Sequence, residues 1–300
     1  MIAIVGATGN TGSVAAETLL AKGEKVRVIG RDAGRLARFT KKGAEAFAAN
    51  ATDAGALAEA FEGAEGVYAM VPPNLSAPDA RAYQEQVTDA LAAAIQKAAV
   101  PYVVALSSIG ADKTEKTGPV VGLHNLEAKL GAISNLNAIY LRAGYFMENF
   151  LLQANVIPNF GFMGGPLRAD LALPLIATRD IGAVAGELLA KRDFKGQEAR
   201  ELLGQRDVTY KEAASIIGKA IGKPELAYAQ LPAGQLKPAL LQMGMSESVA
   251  ALLLEMAEAL NSGYMVRLEE RSARNTTPTS FETFVAEEFV PRFQGKAAKA

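Results

Sequence analysis

The sequence predicts an α/β fold, a doubly wound parallel sheet followed by a smaller, mostly helical carboxyl-terminal domain. Three observations predict it. An apolar run from Ile2 to Val5 ends in glycines at 6, 9 and 12, and an apolar helical pattern follows from Val14 to Ala21. Strand and helix patterns then alternate for about 140 residues, which argues for parallel strands with right-handed crossover helices on both faces. Beyond residue 150 the alternation stops and helical patterns dominate.

The first strand is apolar throughout, as a strand buried on both faces should be. Strand, glycine turn and helix together form the layout that holds a dinucleotide pyrophosphate. Gly6 permits the tight turn, Gly9 lets the backbone approach the phosphates, and Gly12 lets the helix pack close to the strand. The free N–H groups of the helix start face the negative charge. Thr8, Asn10 and Thr11 can add side-chain hydrogen bonds. The spacing is G-x-x-G-x-x-G, one residue off the usual G-x-G-x-x-G, and its place between strand and helix is what gives it meaning.

Lys25 to Gly30 reads as the second strand and ends at Arg31-Asp32. Proteins selective for NAD carry an acidic residue there for the ribose 2′-hydroxyl. Arginine's planar fork suits a phosphate instead, so NADP(H) is the expected cofactor, with NAD(H) accommodated if Asp32 serves the ribose. A short helix over Gly34 to Lys42 leads to a third strand, Ala44 to Ala49. Asp53 follows it, either accepting from the adenine amino group or capping the helix that starts at Ala54.

A fourth strand, Gly66 to Val71, ends at Pro72-Pro73, which forms a stiff wall beside the ribose and nicotinamide or simply terminates the strand. The segment Asp79 to Ala99 carries Val87, Leu91, Ala94, Ile95 and Ala98 at helical spacing. The fifth strand, Tyr102 to Leu106, ends at Ser107-Ser108, and Ser107 is placed with the cofactor-side residues. A loop over Gly110 to Gly118, a helix over Leu123 to Ile133 and a sixth strand over Asn137 to Leu141 complete the alternation. Ligands bind outside the carboxyl ends of such strands.

The helix after the fifth strand is where a Tyr-x-x-x-Lys pair would supply a phenol as proton donor. Lys129 fits the lysine, but Asn125 stands four residues earlier, and an amide is no general acid. His124 adjoins the vacant position. Its ordinary pKa of about 6.5 suits proton donation, and its place at a helix start equally suits a surface or capping residue. Lys129 can act there or hydrogen-bond a ribose hydroxyl. After the sixth strand, Gly144 permits a sharp turn, Tyr145 and Phe146 offer flat faces to a nicotinamide or aromatic substrate, and Asn149 can bond the chain or a ligand. The plainer reading makes Tyr145 and Phe146 core aromatics.

The first domain is assigned to residues 1–150, with segments near 176–205 returning to it, and the cap to 151–300. Residues 150–175 are loop-like, punctuated by Pro158, Gly161, Gly164-Gly165-Pro166 and Pro174. Helices are expected over Asp180 to Leu189, Lys211 to Ile221, Gln235 to Met243, Glu247 to Leu260 and Phe281 to Phe289, with a frayed tail from Gln294 to Ala300. The Pro158–Pro174 segment and Met243 to Met245 are expected to line the substrate pocket.

Composition sets the outer bounds. The chain has 300 residues, 50% hydrophobic and 21% charged, with a formal net charge of −1. Nothing there suggests a nucleic-acid or anionic-membrane surface. It has no cysteine and one histidine, which removes thiolate catalysis, disulfides and cysteine- or histidine-rich metal sites, and fits a cytoplasmic protein. No apolar stretch is long enough to span a bilayer.

The motifs G-A-T-G-N-T-G at 6–12, V-I-G-R at 28–31, S-S-I-G-A at 107–111, the His124–Lys129 segment, L-R-A-G-Y-F-M-E-N at 141–149 and T-R-D-I-G at 178–182 resemble the NmrA-like group of atypical short-chain dehydrogenase/reductases. The resemblance implies a Rossmann domain, a smaller carboxyl-terminal domain and a substrate between them. It places Gly6 to Gly12 and Arg31 at the cofactor's phosphates, and Pro72, Pro73, Lys129 and the Tyr145–Asn149 turn along its nicotinamide half. Ala143 departs from the proline common there. The group includes NADPH-dependent quinone, azo-dye and phenylpropanoid reductases, and regulators that bind a dinucleotide without turnover. Two functions are therefore expected. One is an NADPH-dependent oxidoreductase, monomer or homodimer, acting on a small quinone-like or azo aromatic that needs less acid help than a ketone. The other is a non-catalytic NADP(H) sensor acting through a protein partner.

Overall fold

The computed structural model describes residues 1–297. Its first half runs β1 (Ile2–Val5), α1 (Asn10–Ala21), β2 (Val26–Gly30), α2 (Ala33–Thr40), β3 (Glu45–Ala48), α3 (Ala54–Ala60), β4 (Gly66–Ala69), α4 (Ala80–Lys97), β5 (Tyr102–Ser108), α5 (Val120–Gly131) and β6 (Asn137–Ala143). The second half begins with β7 (Tyr145–Phe146), a 3₁₀ turn over Met147–Leu152, α6 (Gln153–Phe160), β8 (Met163–Gly165), β9 (Ala172–Ile176), α7 (Thr178–Lys191) and β10 (Gln197–Leu202). Then come β11 (Asp207–Thr209), α8 (Tyr210–Ala220), β12 (Tyr228–Gln230), α9 (Ala233–Gln242), α10 (Glu247–Asn261), α11 (Phe281–Phe284), a π turn and α12 (Val290–Ala297).

Seven strands form one sheet in the order β10-β6-β5-β4-β1-β2-β3, and every pair in it is parallel. The order reverses between β1 and β4, so the crevice for a ligand opens beyond their carboxyl ends. Every residue of β1 and β4 is buried, the state their unbroken apolar runs require. Asp32, Asp53 and Asp79 cap α2, α3 and α4, each accepting from first-turn amides. On one face of the sheet α7 packs against α1 through Gly182 and Gly186. A Cβ on Gly182 would stand 2.4 Å from the Thr11 carbonyl oxygen, so that helix contact needs glycine.

Apolar cores lie on both faces of the sheet. A third fills the cap around Phe150, Ile157, Tyr210, Phe281 and Phe289. Each such side chain contributes roughly 1.5–3 kcal/mol on burial. The cap departs from the sequence reading in one place. Residues 150–175 are not loop-like, because Phe150, Ala154 and Ile157 form a buried stripe that carries α6 through Pro158. The tail is helical as far as Ala297, and residues 298–300 lie outside the described residues. Among the described residues no helix is long and apolar enough to cross a membrane.

Candidate functional site

The glycine turn is built for a close approach. Gly6 has φ +67°, and a Cβ on Gly12 would stand 2.5 Å from the Gly6 carbonyl oxygen. Gly9 sits at the start of α1 with no side chain to cap it, so the amides of the first turn lack an intrahelical acceptor and face the crevice. Asn10 and Gly9 are exposed there. Thr11 is not available to a ligand in the same way, since it is buried and its hydroxyl accepts from Tyr68 Oη at 2.8 Å. Burial pushes the Tyr68 phenol well up, so it stays a donor.

Arg31 follows β2 and is exposed. Its guanidinium makes no hydrogen bond or ion pair among the described residues. It reaches Tyr83 electrostatically: burial raises the Tyr83 phenol and the Arg31 charge pulls it back. Asp32 caps α2 through its Oδ1, which accepts from the Gly34 and Arg35 amides at 2.8 and 3.3 Å. Asp53 accepts from the Ala56 amide at 3.0 Å, the capping alternative for that residue.

Beside the turn lies a cavity of about 700 Å³, within the range of small-molecule sites. Met70 joins the two, for it lines the cavity, and its Sδ is 2.6 Å from where a Gly6 Cβ would stand. The floor comes from the carboxyl ends of β4, β5 and β6: Pro72 and Pro73, Ser107 and Ser108, then Tyr145, Phe146 and Asn149. The roof is α10, through Val249, Leu252, Leu253, Met256 and Leu260. Met265, Val266, Arg267 and Glu270 from the following strap close it.

That strap, residues 263–280, hangs from the sheet edge. The Glu201 carboxylate accepts from the Leu268 and Glu269 amides at 2.8 Å each. Asp180 accepts from the Thr279 amide and hydroxyl at 3.0 and 2.7 Å. Arg271 donates to the Leu203 carbonyl at 3.0 Å.

The polar groups around the floor are mostly spent on the protein itself. Ser107 Oγ donates to Glu127 at 2.5 Å, and Glu127 pairs with Arg142 at 2.6 Å. The hydrogen bond to Glu127 lifts the Arg142 guanidinium further above its ordinary range, against the opposing cost of burial. Tyr83 Oη donates to the Pro72 carbonyl at 3.0 Å and braces the proline wall. The charged lining residues Asp207, Arg267 and Glu270 pair with one another.

The cavity does not bring His124 or Lys129 into its wall. His124 Nδ1 is 2.9 Å from the Ala111 carbonyl oxygen. Lys129 points at α4, its Nζ 2.5 Å from Glu85, 2.6 Å from Asp89 and 3.1 Å from Thr88. Burial opposes its charge, but the hydrogen bonds from its ammonium to the two carboxylates hold its pKa above the usual lysine value. Met243 and Met245 also miss the wall, and of Pro158–Pro174 only Leu171 to Pro174 reach it. The sequence reading missed Met70, Tyr83 and the α10 roof. The α10 residues are apolar at helical spacing and look like any buried helix face.

The parallel order of the sheet, its switch point at the glycine turn and the chamber beneath a helical cap define a Rossmann-type α/β protein with a separate ligand chamber. The chain belongs to the NmrA-like family, whose model matches residues 1–289. The NAD(P)H azoreductase of Xenophilus azovorans is 29% identical to it over 258 residues, 85% of this chain and 86% of that one. The Citrobacter sp. triphenylmethane reductase complexed with NADP(H) superposes with a TM-score of 0.80 at 18% identity, covering 95% of this chain and 99% of that one. The NADPH-dependent quinone oxidoreductase QOR2 of Escherichia coli complexed with NADPH gives 0.73 at 22% identity, covering 98% and 100%.

Proposed function

We propose that the chain is an NADPH-dependent oxidoreductase that reduces a flat, electron-poor aromatic acceptor such as a quinone or an azo compound. The observation that carries this reading is the junction at Met70, where the glycine turn and the apolar chamber share one side chain. A dinucleotide with its pyrophosphate on the turn would extend its nicotinamide past Met70 and the proline wall, toward Tyr145 and Phe146. The residues present fit such a group: bare amides at the turn, no Cβ at positions 9 and 12, and an unpaired guanidinium at Arg31 for a ribose phosphate.

The bound reduced dinucleotide supplies a hydride. The chain's own work is to hold two rings face to face. An apolar roof and a floor whose charges are internally paired suit an acceptor that is flat and uncharged at its reacting end. The azoreductase relative is consistent with that class.

Oxidation of NADPH with a panel of quinones, azo dyes and enones tests the reading. Turnover with flat acceptors is expected. NADPH binding without turnover of any acceptor would overturn it in favour of the sensor.

A further inference from the structure

Four hydroxyls line the chamber: Tyr83, Ser107, Ser108 and Tyr145. Three donate their protons to the protein. Tyr83 donates to the Pro72 carbonyl, Ser107 to Glu127, and Ser108 to the Ile109 carbonyl at 2.9 Å. Tyr145 differs. Its oxygen accepts from Tyr210 Oη at 2.9 Å, and no protein acceptor for its own proton is found among the described residues.

Backbone and ring are both held in place by neighbours. Tyr145 and Phe146 pair with Leu175 and Ile176 of β9. The Tyr145 ring meets Phe150 and Tyr210 edge-on, each with ring centres 6.3 Å apart. Gly144 fixes the turn before it, since a Cβ there would stand 2.3 Å from the Pro174 carbonyl oxygen.

We infer that Tyr145 is the proton donor to the reduced acceptor, with Tyr210 as the positioning residue that holds its oxygen. The inference rests on the oxidoreductase reading above. In the step it describes, hydride transfer gives the acceptor two electrons and leaves the dinucleotide oxidised. One acceptor atom, oxygen in a quinone or nitrogen in an azo group, then carries a negative charge. The Tyr145 O–H bond breaks and its proton forms the new O–H or N–H bond. The phenolate left behind keeps the hydrogen bond from Tyr210 and takes a proton back from water. A donor preset at the oxygen that gains charge is the arrangement that stabilises such a step. Burial raises the Tyr145 phenol, and Tyr210 and Asn149 pull it back, so the proton stays on the ring until the acceptor becomes basic.

The inference makes the need for acid depend on the acceptor. A quinone-derived anion is delocalised and draws its proton from water readily. An azo-derived nitrogen anion is far more basic and needs the donor.

The test measures single-turnover NADPH oxidation by wild type, Tyr145→Phe and Tyr210→Phe with one quinone and one azo dye. NADPH affinity and melting temperature are recorded for each protein. Tyr145→Phe should slow azo reduction by roughly 10²-fold or more, the scale of general acid catalysis, and quinone reduction by less than about 10-fold. Tyr210→Phe should slow azo reduction selectively and by less. Should Tyr145→Phe fail to fold, the Tyr210→Phe selectivity decides. Equal losses on both acceptors, or no azo-specific loss, overturn the proton-donor role alone. A wild type that binds NADPH and reduces neither acceptor overturns the oxidoreductase reading and the inference with it.

Discussion

Gly12 lies so close beneath Gly6 that a Cβ at position 12 would stand 2.5 Å from the Gly6 carbonyl oxygen, a backbone atom that cannot swing aside. Gly12→Ala is therefore expected to push α1 off β1. The cost should be about 1–3 kcal/mol, the scale of an overpacked contact, with loss of NADPH binding. Gly9→Ala meets only a 3.3 Å contact and should keep the fold while obstructing the phosphates. Thermal melts and NADPH titration of both variants separate the two effects.

Arg31 is proposed to carry the choice between cofactors. Its guanidinium is exposed and unpaired, so removing it costs the empty protein almost nothing. A hydrogen bond to a charged partner is worth about 1.5–3 kcal/mol. Arg31→Ala should therefore weaken NADPH roughly 10- to 100-fold and leave NADH unchanged. Dissociation constants measured by fluorescence titration check this, and equal weakening of both would remove the assignment.

Lys129 and His124 face away from the chamber. Single alanine substitutions should leave turnover within about threefold of wild type. Lys129→Ala sets Glu85 and Asp89 side by side without their cation, at a cost of roughly 1 kcal/mol or less, as for a largely solvated pair. Steady-state kinetics and denaturant melts report the two effects independently.

Glu148 gives the fold a pH signature. Its Oε1 accepts from the Thr178 amide and hydroxyl at 2.9 and 2.5 Å, while its buried Oε2 has no hydrogen-bond partner among the described residues. Burial raises its carboxyl above the ordinary value of 4.5, against the pull of the Thr178 donors. An acid raised on folding binds its proton more tightly in the native state. Stability from this group is full below the unfolded pKa and falls as pH rises through the folded one. Glu148→Gln should abolish that slope, so its melting temperature should gain on wild type between pH 4 and pH 7. A constant difference across that range would refute the account.

Periodicity and punctuation made the Rossmann half legible. The apolar run of β1, the glycines after it and the aspartates before α2, α3 and α4 are local signals, each acting within a few residues. The chamber was less legible because its walls meet only through the fold. Leu252 and Met256 look like core from their spacing, and nothing in the sequence says that α10 spans a void. Motif position points Lys129 and His124 at the chamber, but their places on α5 turn them toward Glu85 and the Ala111 carbonyl. Tyr145 was visible as an aromatic at a strand end. Its unspent proton becomes apparent only once Tyr210, 65 residues away, is placed against it.

The strap over the chamber is fastened at Leu268, Glu269 and Thr279 largely through main-chain amides. Val266, half-exposed at the chamber's edge, takes no part in that fastening, whereas Met265 is buried and its amide donates to the Ala259 carbonyl at 2.9 Å. A change at Val266 therefore reshapes the ceiling without disturbing either the strap's rivets or the glycine turn.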